Sequence, residues 1–376
     1  MDSQQYAVLA RLSRRTEYLH SHLLAKLQRL AAADRPWWIA FFDVDGTYLH
    51  QQHVPLPGEG DSELARAENA RYEAMTWKLA RLLHARDIPI VLVTGRDLIS
   101  SHRIQPPPAE ELRLFDAAAT SVGTELWVQQ QDNRYIRDSV YNTYIAHTTG
   151  FDRAAVYAVC RTLQHWYSAH EPARNVLFQS RDTENNVAYH EGADTLTGEP
   201  PGKPPLAYKI SLFCEGTDAE AAAVVARFRV ALTAAGFGGV RLVLSHSRAL
   251  DGDVHRFNLD ILAHAKGDAV QYMTQEYCCR GIVAGDSGND ADMLLDAADA
   301  GVVVGGSKPE IAHLLAAQNT LRATRHFRLL ARPQGVRLLY VDPSGRRGPE
   351  SLLHAWRSLA LLDTLAAGAS PRRKPR

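Results

Sequence analysis

Three continuous apolar runs stand out along the chain, Trp37–Phe42, Pro89–Val93 and Gly281–Ala284, each bounded by polar turns. Runs of this length without alternation predict strands buried on both faces. A helical pattern over Ala70–Ala85 separates the first two, and Asp116–Val122 feeds a further strand. Strands alternating with helices predict a parallel sheet with crossover helices, whose ligand site lies beyond the carboxyl ends of the strands. The pattern changes over residues 126–258. There it predicts a helix near 151–169, a strand at Asn175–Gln179, a Pro/Gly-rich loop over Gly198–Pro205 and a strand at Tyr208–Cys214. A helix over Asp218–Gly236, capped by Thr217, and a strand at Val240–Ser245 complete this unit. The reading is an α/β unit with a mostly antiparallel sheet, inserted into the first.

At the start, Leu9, Leu12, Leu19, Leu23, Leu27 and Leu30 recur at helical spacing among basic residues. They predict a helical extension, residues 1–34, packed on the core, with a docking or dimerisation helix as the alternative. The core is expected over 35–125 and 259–365, the inserted unit over 126–258, and a disordered basic tail over 366–376.

Composition narrows the function classes. Of 376 residues, 45% are hydrophobic, and 42 Lys+Arg balance 42 Asp+Glu. A neutral chain of this size gives no reason to expect nucleic acid or an anionic membrane as partner. No apolar run is long enough to span a bilayer, and the first residues lack an apolar leader core. The four cysteines, Cys160, Cys214, Cys278 and Cys279, have no metal-ligand spacing and read as reduced thiols of a cytoplasmic protein, with Cys214 in a strand core.

The chemistry sits at the strand ends. Asp43-Val44-Asp45-Gly46-Thr47 follows the first run directly. Alternation puts Asp43 and Asp45 on one side, and two carboxylates that close ask for a hard divalent cation, most simply Mg²⁺. One can attack an electrophile while the other handles a proton. Thr94-Gly95 ends the second run with a hydroxyl and a backbone N–H suited to an anion. Lys266 opens a helical pattern, where the helix dipole disfavours a cation unless an anion lies beside it. Gly285-Asp286-Ser287-Gly288-Asn289-Asp290 ends the third run. Each segment alone has an ordinary reading as a turn, a surface lysine or a polar loop. Three acid- or anion-bearing strand ends in this order do not.

These four segments resemble the motifs of the haloacid dehalogenase superfamily of phosphatases, over roughly residues 36–125 and 260–320. The resemblance implies an α/β fold with a Rossmann-like parallel-sheet core and an inserted α/β cap of the C2 type. Ser121-Val122-Gly123-Thr124-Glu125, Tyr208-Lys209-Ile210-Ser211 and Leu259-Asp260-Ile261-Leu262 further resemble the sucrose-phosphatase family. Ala263 stands where that family usually has Pro, and the stretch to Lys266 is short.

The resemblance implies Mg²⁺-dependent hydrolysis of a sugar phosphate through an aspartyl-phosphate. Asp43 is the expected nucleophile and Asp45 the acid and base. Thr94, Gly95 and Lys266 are expected to bind phosphate. The expected metal set is Asp43, the Asp45 carbonyl and Asp286, with Asp290 supporting the metal or pairing with Lys266 and Asn289 nearby. Glu125 and Lys209 are the candidates for reading the sugar. Trp127, Tyr135, Tyr141 and Tyr144, assigned to the cap, suit sugar stacking, though each is more often core. Sucrose 6-phosphate or a similar glycosyl phosphate is the expected substrate. The alternatives are trehalose, mannosyl-glycerate, glucosyl-glycerol or hexose phosphate, and a non-catalytic sugar-phosphate-binding regulatory domain.

Overall fold

The computed structural model describes residues 3–49, 63–96, 113–179, 207–297, 299–307, 309–332, 335–342 and 346–368. The Gly198–Pro205 loop and the residues after 368 lie outside the described residues. The strands are β1 (Trp38–Phe42), β2 (Ile90–Val93), β3 (Ala117–Thr120), β4 (Glu125–Gln129), β5 (Tyr135–Arg137), β6 (Leu177–Phe178) and β7 (Lys209–Gly216). They continue as β8 (Arg241–Ala249), β9 (His255–Leu262), β10 (Arg280–Gly285), β11 (Ala300–Val303), β12 (Thr320–Ala323), β13 (Phe327–Arg332) and β14 (Gly335–Val341).

One sheet has ten strands in the order β12-β13-β14-β11-β10-β1-β2-β3-β4-β5; a second has four, β6-β7-β9-β8. The six strands from β14 to β3 run parallel, and antiparallel strands extend the sheet on both sides. Both faces are covered, which is why the parallel strands read as unbroken apolar runs. Ile39, Phe41, Val91 and Val93 face one hydrophobic layer. Ala40, Phe42, Ile90 and Leu92 face the other, packed on Leu79 and Leu83 of the helix Glu63–His84 and on Leu352 and Ala355 of the helix Gly348–Gly368.

The N-terminal extension supplies part of the first layer. It forms three helices, Ser3–Leu12, Thr16–Leu19 and His22–Ala32, rather than one, with Ser21 capping the third by accepting the Leu24 N–H at 3.1 Å. Leu12, Leu23 and Leu27 are fully buried, each such burial contributing on the order of 1.5–3 kcal/mol. Leu19 departs from the predicted stripe: the chain breaks on either side of Thr16–Leu19, and this leucine is exposed. Polar contacts reinforce the docking. Lys26 Nζ lies 2.8 Å from Asp116 Oδ2, both buried, while Arg15 and Tyr18 bind the Asp138 carboxylate.

The inserted unit is smaller than its expected span. Residues 125–137 form β4 and β5 of the large sheet, and β9 carries the small sheet on to Leu262. The expected boundaries at 126 and 258 therefore move to after β5 and after β9. Alternation marks a strand but does not say which sheet it joins. For the same reason Trp127 and Tyr135 are buried core residues of the large sheet rather than cap residues. Tyr141 is also fully buried, leaving Tyr144 as the exposed one of the four. At the far end, the helix Gly348–Gly368 runs past 366, so the expected start of the disordered tail is also corrected.

The four-stranded sheet is antiparallel throughout. The helices Arg153–His170 and Asp218–Ala234 contribute Val156, Cys160, Val224 and Phe228 to the same apolar cluster as Ile210, Leu212 and Cys214 of β7. Thr217 and Glu220 form a reciprocal cap at the start of the second helix. Alternation turns Lys209, Ser211 and Phe213 to the opposite face. The edge strand β8 meets the Gly288–Asp290 turn of the large unit.

Candidate active site

Register brings the motifs together. Phe42 pairs with both Ala284 and Leu92, so the residues after β1, β2 and β10 emerge at the same edge of the sheet. Asp43 stays attached to that edge through its N–H, which donates to the Ala284 carbonyl at 3.0 Å. The chain then turns: Tyr48 N–H donates to Asp43 O at 3.1 Å and Gly46 N–H to Leu49 O at 3.0 Å. Gly46 has φ +81°, and a Cβ there would lie 2.5 Å from Asp286 Oδ2, so the turn admits no side chain at this position.

Lys266 opens the helix Lys266–Glu276 and is fully buried. Its ammonium donates to Asp43 Oδ1 at 2.5 Å and to Asp290 Oδ1 at 2.7 Å, with Asn289 Oδ1 at 3.4 Å. Two carboxylates satisfy this helix start. Asp268 accepts the Ala265 N–H at 2.9 Å and Asp292 the Gly267 N–H at 2.7 Å. Burial raises the Asp292 carboxyl to about 6. Its part in holding the Lys266 turn is not visible in the motif pattern.

Asp290 uses both oxygens on protein donors. Opposite the Lys266 contact, Oδ2 accepts from the N–H groups of Asp286 and Ser287 and from Ser287 Oγ, each at 3.1 Å. The expected pairing with Lys266 is present. Asn289 Oδ1 accepts from Ser287 Oγ at 2.6 Å, which fixes the same loop.

The local charge is unbalanced. Burial pushes the Asp43 carboxyl well up, neighbouring Asp290 and Asp286 push it further, and Lys266 opposes them. Burial would lower the Lys266 ammonium, but Asp290 and Asp43 outweigh it and raise it. Asp43, Asp286 and Asp290 offer carboxylate oxygens within 4.8 Å of one another. Three hard oxygen donors around one lysine fit a divalent cation, which would balance the excess negative charge.

Asp45 has different surroundings. Arg96, just after the Thr94-Gly95 pair, grips its carboxylate with both ends of the guanidinium, Nε to Oδ2 at 2.8 Å and Nη2 to Oδ1. The motif reading gave Arg96 no role, because the two residues meet only through the adjacency of β1 and β2. Thr94 is buried, and its Oγ1 accepts the Arg96 N–H at 3.1 Å. Gly95 lies between them in the same turn.

The two sugar-reading candidates lie on different sheets. Glu125 begins β4 of the large sheet, where Oε2 accepts from Thr120 Oγ1 at 3.2 Å and Ser121 Oγ at 3.1 Å. Lys209 begins β7 of the small sheet and donates to Asp260 Oδ2 at 3.1 Å, while Ser211 Oγ donates to Asp260 Oδ1 at 2.6 Å. Alongside, Gln179 donates to Asn258 Oδ1 at 3.2 Å, so the face carries a row of paired polar groups.

Residues 201–329 match the family model of sucrose-6F-phosphate phosphohydrolase, a span that covers β7–β9, Lys266 and the Gly285–Asp290 loop. No curated protein matches the chain by sequence. Among solved structures, the sucrose-phosphatase of Synechocystis sp. in complex with sucrose and phosphate is similar at 18% identity and TM-score 0.52, over 85% of this chain and 96% of that one. A haloacid dehalogenase-like hydrolase from Bacillus subtilis is similar at 16% identity and TM-score 0.44, over 86% of this chain and 92% of that one. The first of these likenesses establishes the fold. With the four motifs assembled on it and the family match across two of them, the chain is similar to the sucrose-phosphatases of the haloacid dehalogenase superfamily.

Proposed function

We propose that the protein hydrolyses a sugar phosphate, with sucrose 6-phosphate or a related glycosyl phosphate as substrate and Mg²⁺ as cofactor. The observation that carries this reading is the buried convergence of Asp43, Lys266, Asp286 and Asp290, with Lys266 Nζ 2.5 Å from the Asp43 carboxylate. A bound Mg²⁺, held by Asp43, Asp286 and the Asp45 carbonyl, supplies charge neutralisation for the phosphoryl group.

Asp43 attacks phosphorus and becomes an aspartyl-phosphate. The Thr94 hydroxyl, the Gly95 N–H and the Lys266 ammonium bind phosphoryl oxygens and stabilise the charge that develops on them. Asp45 protonates the departing sugar oxygen and then draws a proton from the water that cleaves the intermediate. To do so its carboxylate exchanges the Arg96 contact for the substrate.

The sugar is read by the face of the four-stranded sheet opposite its helices, where Lys209, Asp260 and Ser211 form one hydrogen-bonded cluster. Support for a sugar comes from the family match spanning this face and from its chemistry, since paired carboxylate, ammonium and hydroxyl groups suit sugar hydroxyls. Phosphate release from a panel of glycosyl, disaccharide and hexose phosphates, with Mg²⁺ and with chelator, tests the reading. Turnover of a glycosyl phosphate only with Mg²⁺ is expected. Binding of those esters without phosphate release would replace the enzyme by a sugar-phosphate sensor.

A further inference from the structure

The segment 346–348, which leads into the last helix after β14, lies at the same edge of the sheet as the sequence motifs, because β14 runs parallel to β11 and β11 to β10. Its residues reach the catalytic turn itself. Gly348 has φ +45°, and a Cβ there would lie 3.2 Å from the Thr47 carbonyl oxygen and 3.3 Å from that of Gly46. These are the two residues that follow Asp45. On its other side the same turn is closed by Asp286, against which Gly46 packs. The turn that presents Asp45 is therefore held between Asp286 and Gly348.

Gly348 is itself anchored. Ser351 is fully buried; its Oγ donates to Asp342 Oδ2 at 2.9 Å and accepts the Gly305 N–H at 3.2 Å. Arg346 Nη1 lies 3.4 Å from the other Asp342 oxygen. A side chain at Gly305 would run into the Arg346 carbonyl, so the loop is wedged between the turns that follow β11 and β1. Packed contacts of this kind have discrete positions rather than a continuum, and a small displacement at the wedge moves the turn it supports.

We infer that the segment 346–351 is a positioning element for the reaction: Gly348 buttresses the Gly46–Thr47 turn and thereby fixes Asp45 for proton transfer to the leaving group. The inference rests on the acid role of Asp45 in the proposed function. The segment meets the motif at Gly46 and Thr47, some 300 positions away in the chain.

The leaving group provides a readout that a merely structural role would not move. A sugar alkoxide needs a proton to leave, whereas p-nitrophenolate does not. Gly348→Ala places a methyl group against the two carbonyls at a left-handed φ. It should lower kcat/KM at least tenfold for glucose 6-phosphate, or for the sugar phosphate of the panel that is turned over fastest. For p-nitrophenyl phosphate the fall should stay below threefold. Ser351→Ala, a milder change that keeps the glycine, should shift the same ratio in the same direction by a smaller factor. Hydrogen exchange in Gly348→Ala should speed up over residues 43–49 relative to β1.

Equal losses on the two esters, in protein that melts normally, would overturn the inference. So would unchanged exchange over 43–49. If the unaltered protein cleaves p-nitrophenyl phosphate but no sugar phosphate, the sugar reading fails while the exchange measurement still decides the brace.

Discussion

Lys266 and Lys26 are both buried lysines paired with aspartate, yet they sit at opposite ends of the sheet and in opposite electrostatic settings. Lys26, from the N-terminal extension, meets Asp116 at the amino end of β3. Asp116 also accepts the Ile90 N–H at 2.8 Å, and Lys26 Nζ lies 2.5 Å from His84 Nδ1. One carboxylate answers one ammonium, and burial pulls the Lys26 ammonium down. Lys266, at the carboxyl edge, is bound directly by two carboxylates, with a third close by, and is raised. A balanced buried pair fastens two elements together. An unbalanced one carries excess charge that a bound cation or a proton can neutralise, which marks it as chemical rather than structural.

The most severe way to break this contrast is Asp43→Asn. The replacement is nearly isosteric, so the fold should persist while turnover is abolished. A fall of less than about tenfold, roughly 1.4 kcal/mol of barrier, would remove Asp43 from the nucleophile role.

Lys266→Ala should come next, because it leaves Asp43 and Asp290 buried without their cation. Removing one partner of a buried pair costs about 3–5 kcal/mol, so both turnover and the melting temperature should fall. The pH dependence of unmodified protein tests the same imbalance. The folded Asp43 carboxyl is raised above its unfolded value. The stability it contributes is thus full below the unfolded value, and is lost as pH rises through the folded one. Mg²⁺ favours the ionised carboxylate and should offset that loss. The melting temperature gained on adding Mg²⁺ should therefore be larger near about pH 8 than near about pH 5. An equal gain at both would count against a cation site built on Asp43.

Lys26→Met sharpens the contrast from the structural side. It should lower stability by an amount similar to Lys266→Ala, about 3–5 kcal/mol, with kcat well below the melting range unchanged. Asp116 is held below the usual carboxylate range by Lys26 and His84 against the opposing effect of burial. Its stabilising contribution is present above the unfolded carboxylate value and drains away as pH falls through the folded one. The acid side of the melting profile should therefore flatten in the variant. A large loss of kcat would mean that the extension acts on the site.

The candidate site was legible in the sequence because its signals are local: an apolar run, then acids, within a few residues. The contacts that complete it are not. Arg96 meets Asp45 across 51 positions, and Lys266 meets Asp43 across 223. Nothing local in residues 125–137 says which sheet they join, and only pairing with β3 and between β4 and β5 places them in the large one. The extension was legible as an apolar helix, while its breaks around Thr16–Leu19 coincide with Arg15 and Tyr18 reaching Asp138, more than a hundred positions away.

The smallest expected effect concerns Lys209, buried at 8% exposure and paired with Asp260, which places it between the two extremes. Its pair is balanced like that of Lys26, yet it lies on the face of the small sheet opposite the helices Arg153–His170 and Asp218–Ala234 and belongs to a hydrogen-bonded row with Ser211. If that face reads the sugar, Lys209→Ala should raise KM for the best glycosyl phosphate severalfold and leave p-nitrophenyl phosphate nearly unchanged, because the edge holding Asp43 and Lys266 is untouched. Asp260→Asn should act in the same sense, since it loosens both Lys209 and Ser211 while keeping an acceptor. The double variant should cost less than the sum of the two, as expected for residues acting as one unit. Equal losses on both substrates, accompanied by a lower melting temperature, would instead make Lys209 a second Lys26: a fastening within the small sheet, with the sugar read elsewhere.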